Sequence, residues 1–181
     1  MDVLTHELTP KVRLDREEKA NYSLIVQASN DCLREPRRVD RFYSADNSLL
    51  RLDIRVMDEN DNAPQFYKRV FTGGVTTESR FGTSFMQVRA LDADEGENGR
   101  LHYEIIGPQK ASQAESLDAV GSEPFVIDPD TGEISLNFDP QKDMKGYFEF
   151  DVRANDSGGL SDTALIKVIF ATKVVPLKCR V

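Results

Sequence analysis

The sequence predicts an all-β protein built as a sandwich of short strands, and three observations support that prediction. Apolar and polar residues alternate in three separate stretches, which begin at Tyr22, Leu50 and Phe148. Segments rich in Gly, Pro, Asn and Asp separate these stretches from shorter apolar ones. No stretch repeats its apolar residues with a convincing helical period. Alternation with a period of two is typical of antiparallel strands that bury one face.

The predicted strands follow one another along the chain with turns between them. The clearest candidates are residues 22–28, 50–56 and 148–154, and the shorter ones are 85–90, 101–106, 125–127, 133–136 and 163–170. Tight turns are expected at 97–99, 128–132 and 157–159, where Gly, Pro, Asn and Asp favour turn geometry. Residues 109–119 are expected to hold a short turn at most. The strands after Pro64 fit one sandwich of about 100 residues.

An internal repeat divides the chain. Residues 22–30, YSLIVQASN, resemble residues 148–156, FEFDVRAND. A sandwich needs about 100 residues, and fewer than that precede Pro64. We therefore expect residues 1–63 to be the C-terminal part of one repeat with its linker, and residues 64–172 to be a complete repeat. Residues 173–181 would form a tail or begin a following segment.

Charge and composition exclude several classes of protein. The net charge of −8 and the pI near 4.9 argue against a protein that binds nucleic-acid backbones. No run of about 18 apolar residues is present, so no membrane span is predicted, and the first residues lack the pattern of a signal peptide. Cys32 and Cys179 fit no metal spacing. Unpaired thiols are the simpler interpretation, and a disulfide to another chain is the alternative.

Acidic residues gather in several places, each at the end of a predicted strand or in a loop. The densest stretch is DENDNAP at residues 58–64, which holds three carboxylates and two carboxamides within five residues. Like charges this close raise one another's pKa and destabilise a compact state unless a cation neutralises them. This stretch is therefore either a solvated acidic linker or part of a metal site.

The remaining acidic residues favour the metal. With those of DENDNAP, the carboxylates considered are Asp15, Glu17, Asp58, Asp61, Asp92, Asp94 and Asp156. Their charge of about −7 would be nearly balanced by about three Ca²⁺ ions. Oxygen ligands in loops, without His or Cys, are typical of Ca²⁺ rather than Zn²⁺ or Mg²⁺. An EF-hand is excluded, because a loop that began at Asp92 or Asp58 would lack the required Gly and the final Glu.

Five motifs, in order along the chain, resemble the extracellular repeats of cadherins. They are LDRE at 14–17, DENDNAPQF at 58–66, LDADEGENGRLHYEI at 91–105, FVIDPDTGEISL at 125–136 and DVRANDSGG at 151–159. The match covers nearly the whole chain and is similar to long, protocadherin-like members. It implies Greek-key β-sandwiches of seven strands, with one complete repeat preceded by the C-terminal half of another.

The resemblance also implies a set of calcium ligands at the junction between successive repeats. Asp15 and Glu17 resemble ligands at the lower end of the preceding repeat. Asp58, Asp61 and the Glu59 carbonyl resemble linker ligands of two ions. The ligands of a third ion would be the Asn60 side chain, the carbonyls of Asn62 and Asn98, and the carboxylates of Asp92, Asp94 and Asp156. Up to three Ca²⁺ would bind, and only the third site is complete in this chain.

Two departures from the family pattern are expected to matter. FDPQ at 138–141 stands where LDRE would recur, and no second DENDNAP-like motif follows Phe170. The lower end of the second repeat should therefore bind no Ca²⁺ in the usual way. The stretch 30–47 also holds several arginines. A polar loop is the simpler interpretation of that stretch, and a basic surface for a partner is the alternative.

The resemblance implies a calcium-binding ectodomain fragment of a cell-adhesion receptor rather than an enzyme. Its partners would be other cadherin ectodomains, homophilic or heterophilic, on the extracellular side of the plasma membrane, and its parent protein would cross the membrane once. No nucleic acid is expected. Sequons at Asn21 and Asn155 are candidate N-glycan sites. The alternatives are a soluble ligand- or glycan-binding sandwich with structural Ca²⁺, and a metal-dependent hydrolase, for which no catalytic cluster is visible.

Overall fold

The computed structural model describes residues 7–28, 48–112, 120–142 and 144–171. The chain divides into two compact units, residues 1–59 and residues 60–181. Eleven strands make up the regular structure of the described residues, which confirms the all-β prediction. The arginine-containing stretch 30–47, which includes Cys32, and the tail 173–181, which includes Cys179, lie outside the described residues. The repeat boundary predicted at 63/64 stays a prediction.

The described residues of the first unit form one antiparallel strand pair. Strand β1 spans Asn21–Gln27, and β2 spans Leu49–Arg55. Tyr22 lies opposite Ile54 in this pair, so the alternation places both apolar side chains on one face. The same face lines an apolar cavity of about 280 Å³ together with Leu8 and Leu14. The period-two alternation of the sequence therefore separates an apolar face from a polar one, as strands with one buried face require.

The second unit contains two main sheets. One has the order β4-β11-β10-β7 and the other has the order β5-β9-β8, while β3 pairs with β6. Only the pairing of β4 with β11 is parallel among these described strands. The bounds are β3 Gln65–Phe66, β4 Val70–Thr76, β5 Ser84–Gln87, β6 Ala90–Leu91, β7 His102–Ala111, β8 Phe125–Ile127, β9 Glu133–Leu136, β10 Gly146–Asn155 and β11 Ser161–Ala171. If β3 and β6 are counted as interrupted parts of β4 and β5, the described residues of this unit form seven strands, consistent with the expected sandwich.

The hydrophobic core lies between the two main sheets. On β10, Phe148, Phe150 and Val152 alternate with polar residues and are at most 2% exposed. Phe125 of β8 meets the first two, with ring centroids 5.4 Å from Phe148 and 5.2 Å from Phe150. Burial of each such side chain stabilises the fold by about 1.5–3 kcal/mol. The same strands carry polar residues at their ends, so this rigid core positions the loops described below.

Several strands differ from the prediction: the two-residue β3 was not predicted, and the strand predicted at 85–90 is divided into β5 and β6. Two longer strands also differ. β4 was not predicted, because Gly73 and Gly74 interrupt its apolar pattern; a Cβ at Gly73 would lie 3.1 Å from the sulfur of Met86, so glycine permits this close packing. The prediction that residues 109–119 hold at most a turn is wrong for residues 109–111, which continue β7, while 113–119 lie outside the described residues. The Gln109 amide donates to Phe125 O and accepts from Phe125 N–H, both over 2.9 Å, so a polar residue is satisfied inside this strand.

Candidate metal centre

The loop after β6 brings two carboxylates to one end of the second unit. The Ala90 N–H donates to the Tyr103 hydroxyl over 3.1 Å, which fixes the start of the loop. The Asp94 N–H then donates to Asp92 Oδ1 over 2.9 Å. A Cβ at Gly99 would clash with the Asp94 carbonyl oxygen, so glycine is required where the loop folds back. The loop conformation therefore depends on its glycine as much as on its acidic residues.

Asp156 enters the same region from the end of β10. Its Oδ1 accepts hydrogen bonds from the N–H of Gly158 over 2.9 Å and of Leu160 over 2.8 Å. Such side-chain-to-backbone bonds fix the short turn that joins β10 to β11. The turn thereby orients the Asp156 carboxylate. The residue is only 8% exposed.

Asp92, Asp94 and Asp156 form one acidic cluster. Each offers a carboxylate oxygen, and these oxygens lie within 4.8 Å of one another. In the described part of the chain, no lysine or arginine forms an ion pair with any of the three. Three negative charges thus share a partly buried site without a basic side chain to balance them.

Asp92 shows the cost of this arrangement. Its Oδ2 is buried and has no hydrogen-bond partner among the described residues. Burial raises the pKa of Asp92; the Asp94 N–H lowers it in part, and the charges of Asp94 and Asp156 raise it again, so the pKa stands above its ordinary value. A buried charged oxygen without a partner is destabilising. The donor set, oxygen atoms held in loops, fits a hard cation such as Ca²⁺.

Two amides of the linker stretch complete the surroundings of the cluster. The Asn62 backbone N–H donates to Asp94 Oδ2 over 3.2 Å, and its side-chain Nδ2 donates to Asp94 Oδ1 over 2.7 Å. The Asn60 amide lies against Asp156 and Gly158. The sequence assigned Asn62 a ligand role through its carbonyl, but it did not indicate that the Asn62 side chain orients Asp94.

The other predicted ligands of the second unit lie closer to solvent. Asp61 is exposed, and its Oδ1 accepts from Asn62 Nδ2 over 3.0 Å. Asn98 is half-buried in the loop that ends at Gly99. The structure therefore brings Asp92, Asp94 and Asp156 together with Asn60 and Asn62, and their calcium ligation stays a prediction.

Two of the predicted ligands of the first unit form ion pairs with the same arginine, and the others have separate contacts. Arg16 forms ion pairs with both Glu17 and Asp58, and its side chain is only 15% exposed. The Glu59 carboxylate lies 3.5 Å from Arg13, at the surface. Asp15 Oδ1 accepts from the Glu18 N–H over 3.0 Å in a tight turn. The sequence showed these carboxylates but not the pairing with Arg16, since that pairing joins residues 42 positions apart.

Comparison with known proteins identifies the fold. A family model described as Cadherin domain matches residues 71–170, more than half of the chain. The chain belongs to the cadherin family. Mouse Cadherin-23 is 34% identical over 165 residues, which cover 86% of this cadherin chain and 5% of that protein. Cadherin-87A of Drosophila melanogaster is 30% identical over 176 residues, 93% of this chain and 9% of the relative. The chain thus spans less than a tenth of the length of either relative.

Solved cadherin structures show the same architecture. Mouse Cadherin-23 EC22-24 matches with a TM-score of 0.64 and 29% identity, over 88% of this chain and 45% of that one. A protocadherin gammaB7 EC3-6 cis-dimer structure matches with a TM-score of 0.65 over 87% of this chain and 35% of that one, and its 23% identity supports the fold alone. These matches confirm the resemblance drawn from the five motifs.

Family membership decides the broad class of function. Cadherins are adhesion proteins without enzymatic activity, and their cadherin domains lie in the extracellular parts of membrane proteins. Cadherin domains in general bind Ca²⁺, and the acidic cluster is compatible with that property. Within the described residues, no helix has the length and apolar character that crossing a membrane requires.

Proposed function

We propose that this chain is a calcium-binding part of an adhesion ectodomain, in which Ca²⁺ makes the junction between successive repeats rigid. The observation that carries the proposal is the buried Asp92 Oδ2, which lacks a hydrogen-bond partner among the described residues and belongs to a cluster of three carboxylates. A divalent cation would supply the missing partner and offset the repulsion between Asp94 and Asp156.

The residues of the second unit would divide the work of one calcium site. Carboxylate oxygens would come from Asp92, Asp94 and Asp156, and further oxygens from the Asn60 side chain and the carbonyls of Asn62 and Asn98. Ca²⁺ takes about 6–8 oxygen ligands, a number that this set can supply. Backbone N–H groups donate to Asp156, and the backbone N–H and the side-chain amide of Asn62 donate to Asp94. Two of the three carboxylates are therefore already oriented.

Two further ions would use the first unit and the linker. Their ligands would be Asp15, Glu17, Asp58, Asp61 and the Glu59 carbonyl. Arg16 contacts one oxygen each of Glu17 and Asp58, so a cation would bind these carboxylates together with the arginine or in competition with it. Shared ligands would then link the repeats through the ions, since a rigid junction needs residues of both repeats and of the linker on the same metals.

Calorimetric titration of Ca²⁺ into the chelator-treated chain tests this proposal, with Mg²⁺ as the control ion. We expect selective uptake of at least one Ca²⁺, and weaker uptake in Asp156→Asn, which keeps an oxygen for the backbone bonds but removes the charge. Asp151→Asn is the matched control, because Asp151 is an exposed residue of the same strand. A folded chain that takes up no Ca²⁺ at millimolar concentration, or an Asp156→Asn variant that binds as the wild type does, would overturn the calcium site.

The partners would be other cadherin ectodomains, homophilic or heterophilic, on the extracellular side of the plasma membrane. The match to adhesion proteins supports this. Beads coated with the chain provide the test: clustering in Ca²⁺ that a chelator reverses would support direct contact through these repeats. Beads that stay dispersed while the chain binds Ca²⁺ would restrict the chain to a spacer role within the ectodomain.

N-glycans would attach at Asn21 in preference to Asn155. Asn21 is exposed at the start of β1, where a glycan disturbs no packing. Asn155 is half-buried, and its Nδ2 donates to Glu104 Oε1 over 2.7 Å. Secretion from a eukaryotic host followed by enzymatic deglycosylation distinguishes the two sites. We expect Asn21→Gln to remove the mass shift and Asn155→Gln to retain it, and a glycan mapped to Asn155 alone would contradict this preference.

A further inference from the structure

The Asn60 amide has two orientations with opposite consequences. With its nitrogen toward Asp156, the amide donates to Asp156 Oδ2 over 2.8 Å, and its oxygen accepts from the Gly158 N–H over 2.9 Å. With the amide turned over, oxygen faces carboxylate oxygen and NH₂ faces N–H. The first orientation satisfies both ends of the amide, and the second satisfies neither.

The surroundings of the amide keep it close to this turn. A Cβ at Gly158 would clash with the Asn60 amide group, so glycine at that position permits the approach. The Gly158 N–H also donates to Asp156 Oδ1 over 2.9 Å, and Asp156 itself is 8% exposed. The amide therefore contacts a turn that its own backbone and carboxylate bonds already fix, and in the first orientation a shift of the linker would break both hydrogen bonds of the amide at once.

We propose that Asn60 is a positioning residue with a separate role in each state of the calcium site, an inference that rests on the proposed function. In the ion-free protein the amide nitrogen donates to Asp156 and ties the linker residue to the turn between β10 and β11. A bound cation reverses the preference between the two orientations of the amide. Its positive charge offsets the repulsion between the amide oxygen and the Asp156 carboxylate oxygen. A carboxamide carries both a donor and an acceptor, so the same side chain can serve each state by turning over.

This role predicts opposite effects from one substitution. Asn60→Asp keeps an oxygen for the cation and adds a negative charge, but it has no donor for Asp156. Its ion-free state should therefore lose the tie to the turn, while Ca²⁺ affinity is retained or increased. Asn60→Leu has a similar size and neither donor nor acceptor, so it should lose both the ion-free tie and Ca²⁺ affinity.

The test measures each variant with chelator and with Ca²⁺. Asn137→Asp is the matched control, since the Asn137 amide donates to the Glu123 carbonyl over 2.9 Å at an exposed site away from the cluster. In chelator, we expect Asn60→Asp to lower the melting temperature by about 3 °C more than the control does and to raise amide hydrogen exchange at residues 60–66. In Ca²⁺ both differences should disappear, and calorimetry should show an affinity at least equal to that of the wild type.

The outcomes separate this inference from the calcium proposal. An ion-free Asn60→Asp protein with the melting temperature and exchange of Asn137→Asp would overturn the tie to Asp156, even if Ca²⁺ binds. An Asn60→Asp variant that loses Ca²⁺ affinity as Asn60→Leu does would overturn the second role. A wild type that binds no Ca²⁺ would refute the proposed function and with it the two-state role, although the uncharged Asn60→Leu variant in chelator would still show whether the donor bond exists.

Discussion

The two acidic groups of the chain are stabilised in different ways. In the first unit, the Arg16 guanidinium pairs with both Glu17 and Asp58. In the second unit, Asp94 and Asp156 accept hydrogen bonds from backbone N–H groups and amides. A guanidinium carries a full charge on a planar fork that matches two carboxylates, whereas N–H dipoles bind single oxygens and leave the net charge in place.

The difference has a consequence for the ion-free protein. The first group already contains the positive charge of Arg16. An external cation would therefore compete with the existing ion pairs or bind beside them. The second group keeps three negative charges and a buried oxygen without a partner in the described chain. Only a cation or a proton relieves that group. We therefore expect ion removal to strain the second unit more directly than the first.

The largest effect should follow from removing one charge of the second group. Asp92→Asn preserves the size of the side chain and gives its unpaired position an uncharged amide. Ca²⁺ affinity should fall by at least about 10-fold. Removal of a residue that only supports a metal ligand already costs about that much in affinity, and a change to the ligand itself should cost no less. The same variant should melt at a higher temperature than the wild type in chelator. Calorimetry and thermal melts measure both, and a variant destabilised in chelator would show that repulsion does not govern this group.

The pH dependence sharpens the same prediction. Because the pKa of Asp92 is raised in the folded state, that state binds more protons than the unfolded chain between the ordinary value of 3.8 and the raised one. Ionisation of Asp92 therefore destabilises the ion-free fold as pH rises through this window. The melting-temperature advantage of Asp92→Asn should grow from pH 4 toward neutrality in chelator. An advantage that shrinks over this range would contradict the sign.

A smaller effect is expected from removing the internal cation of the first unit. Arg16→Met keeps much of the length of the side chain and leaves Glu17 and Asp58 to repel each other. Hydrogen exchange of β1 and β2 amides should rise in chelator, and Ca²⁺ should suppress the increase more than it does in the wild type. Arg51→Met is the control, because Arg51 is half-exposed and forms an ion pair with one described carboxylate, that of Asp53, over 3.0 Å. Equal exchange in the two variants would show that the ion pairs of Arg16 stabilise β1 and β2 no more than the exposed Arg51 pair does.

Sequence reasoning was strongest where one strand carries its own pattern. The alternation around Phe148 and Phe150 predicted β10, because burial on one face leaves a local signature. It failed at β4, where two glycines interrupt the apolar pattern and Gly73 packs closely against β5. It also failed at Gln109, whose polar side chain is satisfied by the backbone of another sheet. Partners distant in sequence leave no local pattern.

The site divides along the same line. The motifs indicated Asp92, Asp94 and Asp156, and the structure places their oxygens together. The motifs did not indicate which groups orient them, since the Asn62 side chain reaches Asp94 across 32 positions. The pairing of Arg16 with Asp58 was missed for the same reason. Residue types predicted the chemistry of the site, and only the fold reveals its hydrogen bonds.

The smallest expected effect concerns a carboxylate that has both kinds of partner, a guanidinium and an amide. Glu104 Oε1 accepts from Asn155 Nδ2 over 2.7 Å and from Arg153 Nη2 over 2.7 Å. These bonds, that of Asn155 first, lower the pKa of Glu104 below its ordinary value of 4.5. Its contribution is therefore present above that value and is lost as pH falls through the lowered pKa.

Glu104→Gln should destabilise the chain at neutral pH by no more than about 1 kcal/mol, since the pair is partly solvent-exposed. The difference from the wild type should vanish on acidification, as the difference for Asp92→Asn does, but the two differences have opposite signs. Because Glu104 lies outside the acidic cluster, Ca²⁺ should leave this difference unchanged. Thermal melts at pH 3 and pH 7, with chelator and with Ca²⁺, measure it. A difference that depended on Ca²⁺ would mean that the strand network and the acidic cluster respond as one unit.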